Sequence, residues 1–447
     1  MNQSKTVVIN KYTNFFSMLI LSVLFFIFGL VSWVNTILIP YFQLTCELSI
    51  VQSYLVTFAF FIAYLVMAIP SSILLNKVGY KRGIMIGLWC MALGALLFIP
   101  AAYWRTYEVF LIGLFMLGIG LAILQSAANP YVTIIGPRES AAKRLSIVGT
   151  GNKLAGIIAN LLFAAVVIKE SDKVLMQQIQ AGAFSGTELN AALDTLIKGV
   201  MAPYLILGIF LFIFGIIVRY SMLPDLDAAD VNKNISGVED TRTSIFQYPW
   251  LILGALAIFF HVGSQMISLA TIINYAGTMG LPLEGPAKNF PSFTMFFTFL
   301  GYLTGIALIP KYLNQRHALV ICASLGLLFS LFTIFLTGNI NILDMETDVS
   351  IWFLVLMGFP NALIYTGIWP LAIRDLGKHT NLGSSFLVMG LCGSAILPLI
   401  FSYVVDLNIS LPLFDAYKIA YWVLIPCFLY LIFYATVGYK ISSWSKG

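Results

Sequence analysis

The chain has 447 residues, of which 60% are hydrophobic and only 10% charged, with a mean hydropathy of +0.93. A soluble domain carries about 25% charged residues, so these figures exclude a soluble enzyme, a disordered chain and a secreted disulfide scaffold. The net charge of +5 comes from 24 basic and 19 acidic residues gathered in short gaps, which implies no nucleic-acid surface.

What remains is an all-α polytopic membrane protein. A bilayer core needs about 20 apolar residues at 1.5 Å per residue. On that measure twelve spans follow in chain order, at about 14–40, 51–75, 83–102, 108–135, 145–168, 200–222, 248–276, 288–310, 317–337, 350–373, 383–405 and 416–439. The first is too long for a secretory signal and has no small-residue cleavage site after it, so it reads as a retained helix. Within the outer gap 169–199, MQQIQ and ELNAALDTLIKGV read as short amphipathic helices. The stretch 223–247, rich in Asp, Asn, Ser and Thr, reads as a linker between domains 1–222 and 248–447. Six spans on either side of a polar linker is the layout of carriers built from two similar halves. AIPSSILLNKVGYKRG after the second span and ALIPKYLNQRHAL after the eighth form a faint internal echo. With both termini in the cytoplasm, 17 of the 24 Lys and Arg residues fall on that side, six fall outside and Lys153 falls within a span. That bias follows the positive-inside rule. Four of the five cysteines, Cys90, Cys322, Cys392 and Cys427, lie in apolar runs and read as buried thiols.

Polar side chains inside spans are costly and mark an inward face or a cavity. Span one has Ser32, Asn35 and Thr36; span four has Gln125 and Asn129. Span seven has His261, Ser264, Gln265 and Ser268; span ten has Asn361, Tyr365 and Thr366. Steps of three and four put each set on one helix face, and every third span carries such a set. Singly these residues can be helix-to-helix hydrogen bonds; together they point to one shared cavity. Neutral amides and hydroxyls beside Trp33, Tyr365 and Trp369 suit a ligand of many hydroxyls, since sugars offer hydrogen bonds and apolar ring faces together. In span five, Gly149, Asn152, Lys153 and Gly156 form one stripe, with Lys153 roughly 12 Å deep. It either holds helices together through carbonyls or donates hydrogen bonds to a substrate. All 19 acidic residues fall in gaps, in the linker or at span ends. His261 and Lys153 are therefore the candidate coupling groups, although a lone histidine also serves as a plain helix partner.

Several segments resemble the fucose–galactose–proton symporter family of the major facilitator superfamily. They are FFIFGLVSWVNTILIPYFQ, VTFAFFIAYLVMAIPSSILLNKVGYKRG, ALLFIPAA, ILQSAANPYVTIIGPRESAAKRLSI and LGSSFLVMGLCGSAILP. GPRESAAKRLSIVGTGNK, with the pair Asn152–Lys153, looks most like the glucose/galactose and N-acetylglucosamine transporters of that family. The resemblance implies a major facilitator fold of two six-helix bundles with pseudo-two-fold symmetry, importing monosaccharides across the bacterial inner membrane. It also implies acidic positions that this chain lacks. Where fucose permeases have LND, this chain has Val34-Asn35-Thr36; where they have glutamate before AAN, it has Gln125, as glucose-type members of the family also do. Where the family often has GVE, it has Gly263-Ser264-Gln265.

The expected protein is a carrier of a neutral monosaccharide or amino sugar working by alternating access, with uniport or weak coupling favoured over proton or sodium symport. Export of small amphiphiles is the runner-up, and a receptor that binds without transporting would use the same cavity. The expected binding residues are Asn35, Gln125, Asn129, Asn152, Lys153, His261, Gln265, Asn361, Tyr365 and Trp369. The turn Gly79, Lys81, Arg82 is read either as a gating latch or as a plain positive-inside turn. No cofactor, metal or catalytic residue is expected, nor a nucleic-acid partner, and a monomer in the lipid bilayer is anticipated. An enzyme would need a metal cluster or acid–base set on a membrane face, and three histidines on separate segments supply neither.

Overall fold

The computed structural model describes residues 11–134, 141–166, 174–176, 178–179, 183–221, 243–282, 286–309 and 311–444. Twelve helical spans run through it. The first six are Lys11–Thr45, Ile50–Val78, Tyr80–Leu96 continued by Phe98–Trp104, Tyr107–Ile134, Ala141–Val166 and Met201–Tyr220. Spans seven to nine are Pro249–Ala270 with Ile272–Gly277, Phe290–Leu308 and Gln315–Phe335. Span ten is Val349–Leu356 with Gly358–Ala372, eleven is Thr380–Met389 with Gly393–Leu407, and twelve is Leu413–Ala420 with Leu424–Thr436. Among the described residues, 10 helical segments have the length and hydropathy to cross a bilayer. The remaining two positions are filled by spans one and five.

The helices outrun the apolar windows read from sequence. Span one extends to Thr45 and span three begins at Tyr80, because hydropathy marks the hydrocarbon core and not the ends of the hydrogen-bonded helix. The amphipathic helix expected near the end of the outer gap is present as Gly186–Lys198. It is fastened to the first bundle by Arg105, whose Nη1 donates to Asp194 Oδ1 at 3.2 Å, and by Tyr41, whose hydroxyl donates to the Leu196 carbonyl. Of MQQIQ, Gln177 and Gln180 lie outside the described residues, as do residues 223–242 of the linker. One element was not anticipated. Between spans nine and ten, β1 (Asn339–Ile342) pairs antiparallel with β2 (Met345–Asp348). Leu343 and Asp344 turn the hairpin at φ 56° and 59°, the left-handed pair that a two-residue hairpin turn requires.

Helix pairings in the first six spans recur in the last six. Span one packs on five and seven on eleven; two on four and eight on ten; three on six and nine on twelve. The contacts recur in detail as well. A Cβ on Gly118 of span four would strike the Phe60 carbonyl of span two, and one on Gly358 of span ten would strike the Thr294 carbonyl of span eight. Asn152 on span five donates to the Phe25 carbonyl of span one at 3.1 Å, as Ser394 on span eleven donates to the Val262 carbonyl of span seven at 3.2 Å. The faint echo in the sequence also has a counterpart. Lys81 Nζ donates to the Ser221 carbonyl at the end of span six at 2.6 Å, and Arg316 Nε to the Ala435 carbonyl at the end of span twelve at 3.4 Å. Cations at these C-terminal carbonyls also complement the helix dipoles. Small residues let backbones touch where lipid provides no hydrophobic drive between helices. The result is two six-helix bundles related by a pseudo-two-fold axis.

Candidate functional site

The bundles meet along two seams, span two against eleven and span five against eight. The face bearing Ser221 and Thr243, where the chain passes from one bundle to the other, is called the linker face below. Between the seams lies a cavity of about 130 Å³. A cavity of about 150 Å³ holds one benzene ring, so this space is of the order of one six-membered ring.

Both bundles contribute to its wall. The first supplies Phe25, Phe28 and Ser32 from span one, Phe61 and Tyr64 from span two, Gln125 from span four, and Leu145, Gly149, Asn152 and Lys153 from span five. The second supplies His261, Val262, Gln265 and Met266 from span seven, Tyr302 from span eight, Tyr365 and Thr366 from span ten, and Leu391 and Ser394 from span eleven. Gln125 Nε2 donates to the Tyr64 hydroxyl at 3.0 Å, which fixes the amide while its oxygen remains able to accept. Lys153, 6% exposed, sits about midway along span five, and His261, 1% exposed, has no partner for Nδ1 among the described residues. Gly149 admits the Tyr302 ring, which would stand 2.9 Å from a Cβ there. No carboxylate lines the cavity among the described residues.

Contacts between the bundles flank the space on both sides. Away from the linker face, Ala159, Met266, Leu269 and Met295 form an apolar cluster with Leu30, Val34 and Phe61 packed against it. Toward the linker face, Asn129 Nδ2 on span four donates to the Tyr365 hydroxyl on span ten at 3.2 Å, a hydrogen bond from one bundle to the other.

Of the residues expected to bind, Gln125, Asn152, Lys153, His261, Gln265 and Tyr365 line the cavity. Asn129, Asn361 and Trp369 do not. Asn129 and Trp369 lie one helical turn beyond the wall toward the linker face, and Asn361 lies one turn beyond Tyr365 the other way. Sharing a helix face with a lining residue was a weaker guide than depth along the helix. The side chains of Trp33, Asn35 and Thr36 lie outside those described. In the turn at Gly79, Lys81 binds within the first bundle and Arg82 is exposed. Asn129–Tyr365 is a hydrogen bond between the bundles that lies outside that turn. Tyr64, Tyr302 and Ser394 were not anticipated as lining residues. Tyr64 and Tyr302 sit in unbroken apolar runs, where a tyrosine gives no signal of its own.

A polytopic chain of two pseudo-symmetric six-helix bundles around a midspan cavity has the architecture of a membrane carrier. The Major Facilitator Superfamily model matches residues 21–395, and the chain belongs to that superfamily. It is 32% identical over 429 residues to a glucose/galactose transporter of Brucella abortus, covering 95% of this chain and 94% of that protein. It is 31% identical over 395 residues to the L-fucose-proton symporter of Escherichia coli K12, covering 87% and 86%. A crystal structure of the E. coli fucose:proton symporter superposes with a TM-score of 0.73 at 28% identity, covering 94% of this chain and 98% of that one. A bacterial homologue of the lysosomal transporter Spinster, at 16% identity and a TM-score of 0.59, shares the fold.

Proposed function

We propose that the protein is a secondary transporter that carries a neutral monosaccharide or amino sugar across the bacterial inner membrane by alternating access. The observation that carries this reading is the wall of the cavity. Amides, hydroxyls and aromatic rings from both bundles surround a polar space, with no carboxylate among the described lining residues. Sugars present hydroxyls to such amides and apolar faces to such rings. The relatives named glucose/galactose transporter and L-fucose-proton symporter, aligned along most of the chain, support the same substrate class.

Residues 1–222 and 248–447 form the moving domains in this reading, with 223–247 as their cytoplasmic linker. Both termini lie in the cytoplasm, in keeping with the distribution of Lys and Arg, and the protein acts as a monomer. Uniport or weak coupling is favoured because Gln125 and Gln265, which line the wall, do not titrate. Proton symport is the second reading, supported by the name of the fucose relative. In that case His261 and Lys153 are the cavity groups able to hold the proton.

Ligand-dependent thermal stabilisation of the purified protein against hexoses, amino sugars, polyols and small amphiphiles tests the substrate class, because a ligand that binds only the folded state raises the melting temperature. A shift with one or more neutral sugars is expected. A shift only with amphiphiles would replace this reading with that of an exporter.

A further inference from the structure

The cavity does not account for all the polar groups buried between the bundles. Just beyond it toward the linker face, Asn129 Oδ1 on span four and Trp369 Nε1 on span ten have no hydrogen-bond partner among the described residues. The two residues are 1% and 0% exposed. Burying such groups unpaired costs stability, and an apolar side chain of the same shape would avoid that cost. Their placement is regular. Asn129 is one helical turn past the cavity-lining Gln125, and Trp369 is one turn past the cavity-lining Tyr365, both in the same direction. Tyr365 stands between them, with its hydroxyl bonded to Asn129 at 3.2 Å and its ring centroid 5.8 Å from that of Trp369.

The unmet groups are chemically complementary. An amide oxygen on one bundle can only accept, and an indole N–H on the other can only donate. A sugar hydroxyl does both, and an indole face suits the apolar face of the ring. We propose that Asn129, Tyr365 and Trp369 form a second, transient subsite for a neutral polyhydroxyl ligand, entered from the cavity toward the linker face when the Asn129–Tyr365 hydrogen bond opens. A substrate hydroxyl that takes over the bond to Tyr365 would release Asn129 and begin to part the two bundles there. The ligand would thus pass from one set of hydrogen bonds to the next without crossing an apolar step. This inference rests on the sugar-carrier reading above.

The test uses the full-length protein, purified for equilibrium binding and reconstituted in proteoliposomes for counterflow. The probes are radiolabelled D-glucose, D-galactose, L-fucose and N-acetylglucosamine. Trp369→Phe keeps a ring and the Asn129–Tyr365 bond but removes the donor; Asn129→Leu keeps the volume but removes the amide. In both, binding is expected to stay within about twofold of wild type while counterflow falls by about tenfold or more. Gln125→Ala should lower both. Trp369→Phe should melt at or above the wild-type temperature, so it decides the matter alone if Asn129→Leu does not fold. Wild-type counterflow in Trp369→Phe would mean that buried water fills the place, and binding and counterflow falling in parallel would mean a single site. Either result would overturn the subsite. If wild-type protein neither binds nor exchanges any of the four sugars, the sugar reading itself fails and takes the subsite with it.

Discussion

Gln125 and Lys153 make the sharpest predictions at the scale of single residues. Gln125 is oriented by Tyr64 at 3.0 Å and faces the cavity. Its replacement by alanine removes a substrate partner and strands the Tyr64 hydroxyl, a cost of about 1–3 kcal/mol. Substrate affinity should fall roughly five- to a hundredfold on that basis, measured by equilibrium binding, while the protein remains folded. Lys153→Met retains length in a site 6% exposed. Because a buried charge is expensive, this variant should melt no lower than wild type yet lose uptake. Normal uptake would make Lys153 a helix partner only. The sequence disclosed these two residues because an amide or a lysine within an apolar run is conspicuous. Tyr64 and Tyr302 were not legible in the same way, since tyrosine is common in apolar packing and only the fold turns these two inward.

At the scale of helices, glycines separate bundle stability from bundle movement. Gly29 of span one lies against the Asn152 backbone of span five, inside one bundle, where nothing can yield. Gly29→Ala should therefore overpack the bundle, at about 1–3 kcal/mol, and lower the melting temperature. Gly149 faces the Tyr302 ring of the other bundle at 2.9 Å. Gly149→Ala should leave the melting temperature nearly unchanged and shift the balance between the two facing states, read as altered labelling of a cysteine introduced at the cavity wall from either side of the membrane. The twelve spans were legible because hydrocarbon sets their length. Their ends were not, as span one shows by continuing to Thr45. The β1–β2 hairpin was also hidden, since its left-handed turn at Leu343–Asp344 lacks the glycine that would announce it.

The whole molecule is two copies of one packing scheme, packed against each other around a polar cavity. From the sequence, six plus six spans and the basic turns at Lys81 and Arg316 foreshadowed that symmetry. The bond from Asn129 to Tyr365, across residues far apart in the chain, could come only from three dimensions. At this scale coupling is the prediction at issue. A symporter needs a group whose protonation changes substrate affinity or the balance of facing states, and the described cavity wall offers only His261 and Lys153 besides tyrosine hydroxyls. In energised vesicles, sugar accumulation is expected to stay near equilibrium and to change little when an uncoupler is added. Strong accumulation that both an uncoupler and His261→Gln abolish would establish proton symport with the histidine as carrier.

The central claim, that this carrier moves a neutral sugar, is tested most directly by counterflow in proteoliposomes. Vesicles loaded with an unlabelled hexose or amino sugar are diluted into a trace of the same sugar carrying a label. A transient overshoot of label is expected for at least one neutral monosaccharide or amino sugar, persisting with an uncoupler present and lost in Gln125→Ala. Binding of a sugar without any overshoot would identify a receptor instead, and no response to any sugar would rule out a sugar carrier.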